Sequence, residues 1–546
     1  MDHRSSARRI AAAFVASAGL AAGLIVVGVP ATAAAPSDHI ANDTVWSDTA
    51  GNQIKAQGGN VLRVGDTYYW VGIGMDPQGS APTSPPKSIN LYSSTDLENW
   101  TFVRALVTQW DDDLNDDGVK DVPDSQSGIV GGDPESDLAV GRWLGRPQLV
   151  QHPDGRFILT AEVNGNRKNS ANKGLGNAVA FFEASNGIDG DFEYQGRQYV
   201  DVTTADPDGV TRGDGTLFVD GADAYMVYVA DTAESRNAEG VRVAPLSDDW
   251  LTIEPNVDDD SAASHEAPSI TKIGSTYYMF ASGKYWWDAT DTYYRTSTDV
   301  TDWQSSTWKK LPTNPLPVDS SHPVKSFGTQ FAQIFPVVGD DGTTSYLYNG
   351  DRYSQFYGPG KDPAPPGVGR NAWYPVTFDA GTPTLHGATD VWVDADAGTL
   401  SWNPVANGRF DQGAAFDIGG DIPQWKVGGT AGAAKVQDLG APNNRQLKMQ
   451  ASTAFTSSLA QQVSVANGDY RLQFDVKSSA GFNAAYAFVK NHGGSEQHVS
   501  LNTAAAGWTT VTVDFTVSTK TVRYGFWADG PGGKWLAVDN VKISPR

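Results

Sequence analysis

Cysteine is missing from all 546 residues. No disulfide can therefore hold the fold, which must rest on packing and on any metal ions bound. Positive charge is scarce: 40 Lys and Arg stand against 63 Asp and Glu, a formal net charge of −23. That balance repels phosphate backbones and anionic lipid, so it argues against a nucleic-acid partner and favours a neutral ligand. Helical periodicity is nearly absent, which leaves strands as the building unit. Long apolar runs are limited to one, at the N-terminus, and no second candidate membrane span follows it.

That run, from Ile10 to Val29, lies behind Arg4, Arg8 and Arg9 and ahead of the small residues Ala31 to Ala35. A basic start, an apolar centre and a small-residue end form a secretory signal, so residues 1–33 are expected to be cleaved off. A membrane anchor is the alternative, and the Ala-rich end argues for cleavage. The mature chain is then expected to be secreted, soluble, monomeric and more acidic still.

Glycine and tryptophan are plentiful, with 58 and 17 copies. They recur in a pattern: Gly65-DTYYWVGIG, Gly155-RFILTAEV, Gly221-ADAYMVYVA, Gly274-STYYMFASG and Gly342-TTSYLYNG. Each is a turn followed by an aromatic-rich alternating run, the pattern of a half-buried strand. Five such units at roughly blade-length spacing predict radial β repetition. The fold expected is all-β, with a five-bladed β-propeller over residues 34–402. A pair of β-sandwiches is the alternative, and the spacing argues against it.

In a propeller the residues that open the innermost strands line the central mouth. The segments just before the five signatures are Ala56-QGGNVL, Leu144-GRPQLV, Thr211-RGDGTLF, His265-EAPSITK and Phe327-GTQFAQIF. They bring Asp214 and Glu266 to equivalent points of adjacent blades, facing one cavity, with Gln57 and Arg146 as further polar groups. Two carboxylates on a rigid scaffold are what acid–base hydrolysis of an acetal requires. Sugar rings stack on aromatics, so Tyr285, Trp286, Trp287 and Trp373 are expected to line the mouth, while Trp70 reads as core. Trp110 is a further candidate.

These segments resemble glycoside hydrolase family 43, and most closely its exo-β-1,3-galactanase branch, over about residues 42–402. The resemblance rests on the Gln57-Gly-Gly, Arg146-Pro, Arg212-Gly-Asp214, Glu266-Ala-Pro and Phe327-Gly-Thr-Gln330 segments in that order. It implies an inverting, exo-acting glycosidase that releases galactose from the non-reducing end of β-1,3-galactan. Glu266 would be the general acid, and Asp214 would raise its pKa and orient it. Most of the family has an Asp in the first blade as base, which this chain and the branch both lack. Gln330 matches the residue thought to position the water instead. The chain departs from the branch at Gly145, where a Glu is usual, and Glu162 could supply a carboxylate from the same blade. Galactofuranosidase and arabinofuranosidase activities stay open on that account, as does a non-catalytic sugar-binding propeller.

Between the first two signatures lies Asp113-LNDDGVKDVP-Asp124. Its oxygens at Asp113, Asn115, Asp117, Asp121 and Asp124, with the Val119 carbonyl, follow the twelve-residue calcium-loop spacing. A structural Ca²⁺ is expected there, since so many carboxylates repel one another without a cation. No organic cofactor is expected.

From about Asn403 the texture changes to alternating strands separated by Gly, Asn and Asp turns. Residues 403–546 are expected to form a β-sandwich that resembles jelly-roll carbohydrate-binding modules. Tyr486, Trp527 and Trp535 could bind sugar or belong to its core, and Asp539 could neighbour a structural calcium.

Overall fold

The structure, a computed structural model, describes residues 37–74, 88–108, 130–131, 138, 143–163, 178–200, 211–232, 235–260, 265–284, 289–315, 325–353, 369–412, 422–440, 444–503 and 505–546. Among these the backbone is strand and turn, apart from the four-residue segment Lys325–Gly328, which is helical in hydrogen bonding but holds Ser326 and Phe327 at φ of 48° and 56°. No described helix is long and apolar enough to cross a membrane.

Five antiparallel sheets follow one another along the chain. The first holds Val61–Val64, Thr67–Ile73, Ser88–Ser94 and Thr101–Thr108. The second holds Leu144–Gln151, Phe157–Val163, Ala178–Ala184 and Glu193–Gln198, with Val130–Gly131 on its outer edge. The third comprises Thr211–Asp220, Asp223–Thr232, Ser235–Pro245 and Asp258–Asp260. The fourth comprises His265–Ile273, Thr276–Gly283, Thr292–Ser297 and Lys309–Lys310. The fifth comprises Gln330–Val338, Thr344–Asp351, Asn371–Asp379 and Thr382–His386, with Thr313–Asn314 added in parallel at its edge. The glycines of the repeated signature open tight turns between the first two strands of a sheet. Gly65, Gly221 and Gly274 have φ of 60°, 68° and 60°, a conformation that suits the twist of a two-residue hairpin and costs glycine little.

Each gap between sheets has its own apolar core. Val71, Leu149 and Leu159 fill the first gap; Ile158, Leu217 and Met226 fill the second. Phe218, Met279 and Trp303 pack between the third and fourth sheets, and Phe280, Phe331 and Tyr348 between the fourth and fifth. The fifth sheet then packs on the first through Phe335, Leu347, Trp70 and Trp373. Polar side chains tie the same gaps. Asn60 donates to Leu149 O and accepts from Leu149 N at 2.9 and 2.8 Å. Thr216 donates to Pro268 O, Thr271 to Ile334 O, and Gln333 accepts from Val61 N at 2.7, 2.9 and 2.8 Å. All but the part-buried Gln333 bond are buried, and each of those would leave an unsatisfied group if broken, so the ties fix the spacing of the first strands.

Beyond the fifth sheet, Asp390–Asp394 pairs with Ile40–Ala41 on one side and Thr399–Trp402 on the other, in a small sheet that holds the start of the described chain. Two five-stranded antiparallel sheets follow. One is built from Lys426–Gly429, Phe455–Ser464, Thr521–Gly530, Ala484–Lys490 and Gln497–Ser500. The other contains Ala434–Asp438, Arg445–Gln450, Trp535–Pro545, Gly468–Ser478 and Ala505–Val517. Alternation decides which side chains go in: Tyr470, Leu472, Phe474 and Val476 point inward and meet Leu459, Ala487 and Phe526 of the facing sheet. Each fully buried apolar side chain there contributes roughly 1.5–3 kcal/mol. This part is docked on the rest by Asn314, whose amide pairs both ways with Ser464, and by Asn403, which bonds Val541 O and Ile543 N. Tyr486 and Trp527 are cross-strand partners, half-buried, on the face away from the shared core, and Tyr486 stacks on His498 at 4.2 Å. Trp535 is also half-buried, with the Lys448 ammonium over its ring.

Candidate active site

The first strand of each sheet breaks its ladder near its N-terminal end. In the second to fifth sheets a register shift falls between Gly145 and Gln148, Arg212 and Gly215, Glu266 and Ser269, and Phe331 and Gln333. In the first sheet Gln57 makes only an isolated bridge to Ile73, and Gly58 follows at φ 74°. Bulges bend a strand and re-aim its side chains. The motifs contain the reason: Pro147 and Pro268 have no N–H to give a ladder, so they are confined to such breaks. The residues before them, Arg146 and Ala267, take φ of 43° and 54°. Non-glycine residues held there store about 1–3 kcal/mol of strain each, a pattern that clusters at functional sites.

Five of the residues singled out in the sequence sit at these breaks, and several touch. Arg146 Nε and Nη2 donate to Asp214 Oδ1 and Oδ2 at 3.0 and 3.3 Å, a two-pronged pair across the gap between the second and third sheets. Gln330 Nε2 donates to Glu266 Oε1 at 3.3 Å, joining the fifth and fourth sheets. Gln57 is fully buried and donates to Arg370 O at 3.0 Å. Arg146 is 4% exposed, and burial works against its charge. The fields of Asp214, Asp351 and Glu266, when ionised, outweigh burial and hold the guanidinium firmly protonated. Gln57 Oε1 and Arg146 Nη1 are buried with no hydrogen-bond partner among the described residues. One is an acceptor and the other a donor, the two needs of a bound hydroxyl.

Three further residues were not legible in the sequence. Asp351 ends the second strand of the fifth sheet as the cross-strand partner of both Gln330 and Asn371. It accepts from Gly58 N and Asn371 Nδ2 at 3.0 and 2.7 Å and is only 1% exposed. Burial pushes its carboxyl up to about 7, against the opposing pull of Arg146, the Gly58 N–H, Tyr353 and Asn371. Tyr353, two residues on, lies beneath Arg146, whose guanidinium is 5.8 Å from the ring centre. Trp143 lies over Gly145 and donates from Nε1 to Glu162 Oε2 at 2.7 Å. The available signal for Asp351 was a carboxylate ending a strand of buried type, Tyr346-LYNG-Asp351; nothing local marked Tyr353 or Trp143.

Other expectations are placed differently. Trp373 is fully buried and out of reach of a ligand. It packs against Trp70, Phe335, Trp46 and Trp100 at 4.8, 5.1, 5.5 and 5.7 Å, and its Nε1 donates to Asn349. The alternation of Asn371–Asp379 turns this ring into the core between the fifth and first sheets. Glu162, expected to meet substrate, is 4% exposed and holds the Trp143 indole instead. Tyr285, Trp286, Trp287 and Trp110 lie outside the described residues, as does the whole Asp113–Asp124 loop with Asn115, Asp117, Val119 and Asp121. Among the described residues no group of three or more His, Asp or Glu is arranged to hold a metal ion.

The site thus offers a half-buried carboxyl at Glu266, an amide on that carboxyl, and a carboxylate–guanidinium pair on the neighbouring sheets. It can donate a proton to a leaving oxygen and orient water and hydroxyls, all from rigid strands.

Comparison with known proteins adds the following. The family model for glycosyl hydrolases family 43 matches residues 54–364. The chain is similar in structure to an exo-β-1,3-galactanase from Clostridium thermocellum, with a TM-score of 0.52 and 20% identity, over 92% of this chain and 100% of that one. It is also similar to an exo-β-1,3-galactanase from Phanerochaete chrysosporium solved with β-1,3-galactotriose, with a TM-score of 0.51 and 18% identity, over 93% and 100%. At such identities the likeness shows a shared fold. A search among proteins of curated function returns no match.

Proposed function

The chain belongs to glycosyl hydrolases family 43 and is a glycoside hydrolase; from that premise we propose that it is a secreted, inverting exo-enzyme that releases galactose from the non-reducing end of β-1,3-galactan. The five sheets are read as the blades of a propeller, and the C-terminal pair of sheets as a jelly-roll module that holds polymer. The observation that carries the reading is Glu266 at the inner edge of the fourth sheet, with the Gln330 amide on its carboxyl and the Arg146–Asp214 pair one sheet away.

In this mechanism Glu266 gives its proton to the glycosidic oxygen as the bond from that oxygen to the anomeric carbon breaks. Water attacks the anomeric carbon from the opposite face, oriented by Gln330, and its proton passes to solvent water as the new bond to oxygen forms. The product has the inverted anomer. Asp214 is given the part of orienting Glu266, and Arg146 locks Asp214 in place. Among the described residues no strand-opening position of the first sheet is a carboxylate, and Gln57 is buried there. Orientation of water and stabilisation of charge must therefore supply most of the acceleration. The signal at residues 1–33 supports export. The carboxylate spacing of Asp113–Asp124 supports a structural calcium that clips the segment between the first two sheets.

Incubation with β-1,3-galactan, a galactofuranan and an arabinan, followed by NMR of the first sugar released, tests the reading. Single galactose units of inverted configuration from the first polymer are expected. Glu266→Gln should lower turnover by roughly two to four orders of magnitude. Full activity of that variant, or a retained anomer, would end the assignment.

A further inference from the structure

Gly145 is a glycine for reasons of space. Its φ is not among the positive ones, but a Cβ built on it would lie 2.4 Å from Trp143 Cζ2, 2.6 Å from Cε2 and 2.9 Å from Nε1. The Trp143 indole therefore lies directly on the backbone of the inner strand, one residue from Arg146. Its Nε1 donates to Glu162 Oε2 at 2.7 Å. Glu162 is the direct cross-strand partner of Gly145 and is 4% exposed. A buried carboxylate costs several kcal/mol unless it is hydrogen-bonded. Here the Glu162 carboxyl accepts from the ring of an indole that is itself only half-buried, which fixes the plane of that ring.

The face on which this happens follows from the pleat. Directly opposed residues of an antiparallel pair project to the same side, and their sequence neighbours to the other. Leu144 and Val163 point into the core shared with the first sheet. Ile158, in step with Glu162, points into the core shared with the third. Gly145, Glu162 and the indole over them therefore face the third sheet. They lie above the apolar core of that gap, at the end where Arg146 crosses it to reach Asp214.

We infer that Trp143 is the aromatic platform of the sugar-binding site, that Glu162 is its positioning residue, and that the pair selects a pyranose with an unbroken apolar face. Galactopyranose has one, because its axial 4-hydroxyl leaves the C–H bonds of carbons 3, 4 and 5 together on the other side. A five-membered furanose ring has no such flat patch. Stacking on an indole rewards the first and not the second. This inference rests on the glycosidase reading and narrows its substrate class.

The test compares Trp143→Ala, Trp143→Phe, Gly145→Ala, Glu162→Gln and Glu162→Leu. Kinetics are measured on a β-1,3-galactooligosaccharide, and galactose binding to the Glu266→Gln protein is followed by indole fluorescence. Trp143→Ala should raise KM and the galactose Kd by about tenfold to a hundredfold, with kcat changed far less, as the loss of a stacked ring implies. Trp143→Phe should recover most of this. Gly145→Ala, which displaces the ring without removing it, should reproduce the KM rise, and Glu162→Gln, which still accepts from Nε1, should stay near wild type where Glu162→Leu does not. Unchanged KM and Kd in Trp143→Ala, with hydrolysis intact, would overturn the platform. Equal losses in the Ala and Phe variants, tracking a lowered Tm, would overturn it too. Wild-type protein that hydrolyses nothing but binds galactose through Trp143 would instead sink the proposed reaction and leave the platform standing.

Discussion

Asp351→Asn isolates one buried carboxyl. In the folded chain that group titrates at about 7 rather than at its ordinary 3.8, because it is enclosed at the inner edge of the fifth sheet. Between those two values the unfolded chain has released the proton and the folded chain still holds it. Stability must therefore fall as pH rises, by about 1.4 kcal/mol per pH unit for one proton. Across the window from about pH 4 to about pH 7 the sum approaches about 4 kcal/mol. This is an upper figure, since Arg146 and the Gly58 N–H share the carboxylate's field. Below pH 4 the contribution is fully present, and above pH 7 it is gone. Asp411 and Asp539, also pushed up to about 7 by burial, act in the same window and remain in the variant. The assay is the difference between wild-type and Asp351→Asn stability in urea at pH 4.5, 6 and 8. That difference should move by about 2–4 kcal/mol toward the variant as pH rises. Asn371 can rotate its amide to suit the new side chain, so the variant should fold. Parallel pH curves would refute the claim that this carboxyl is buried and protonated in the folded chain.

Gly58→Ala puts a Cβ 2.5 Å from the Tyr353 hydroxyl at a φ of 74°. Backbone strain alone costs about 1–2 kcal/mol, so thermal melting should show a lower Tm, and activity should fall as Tyr353 is displaced. Trp373→Ala should cost about 3–5 kcal/mol, read by denaturant unfolding, yet leave the KM of the folded fraction unchanged, because the ring is core. A rise in KM without loss of stability would restore it to the binding surface. A chelator should lower the Tm of the protein as prepared, and added Ca²⁺ should restore it, through loss of a ligand that binds only the folded state. An unchanged melt at any chelator concentration would remove calcium from the Asp113–Asp124 loop.

Local chemistry by itself settled a good deal. Alternation and turn glycines announced the strands, because side-chain direction in a strand depends only on the residue's own position. The motifs at Arg146-Pro147 and Glu266-Ala-Pro268 marked where the ladders break, since proline cannot pair wherever it stands. Glu266, Asp214, Arg146 and Gln57 could be singled out because they open strands of the repeat, and Gln330 through the family resemblance. Which of these side chains meet was decided only by the packing of one sheet on the next. Asp351 became a buried acid, and Trp373 a core ring, through contacts with residues hundreds of positions away. Glu162 turned from a candidate ligand for sugar into the anchor of an indole because Gly145 left room for that ring. Such outcomes depend on which neighbour occupies a shared volume, and no stretch of chain contains that information about another.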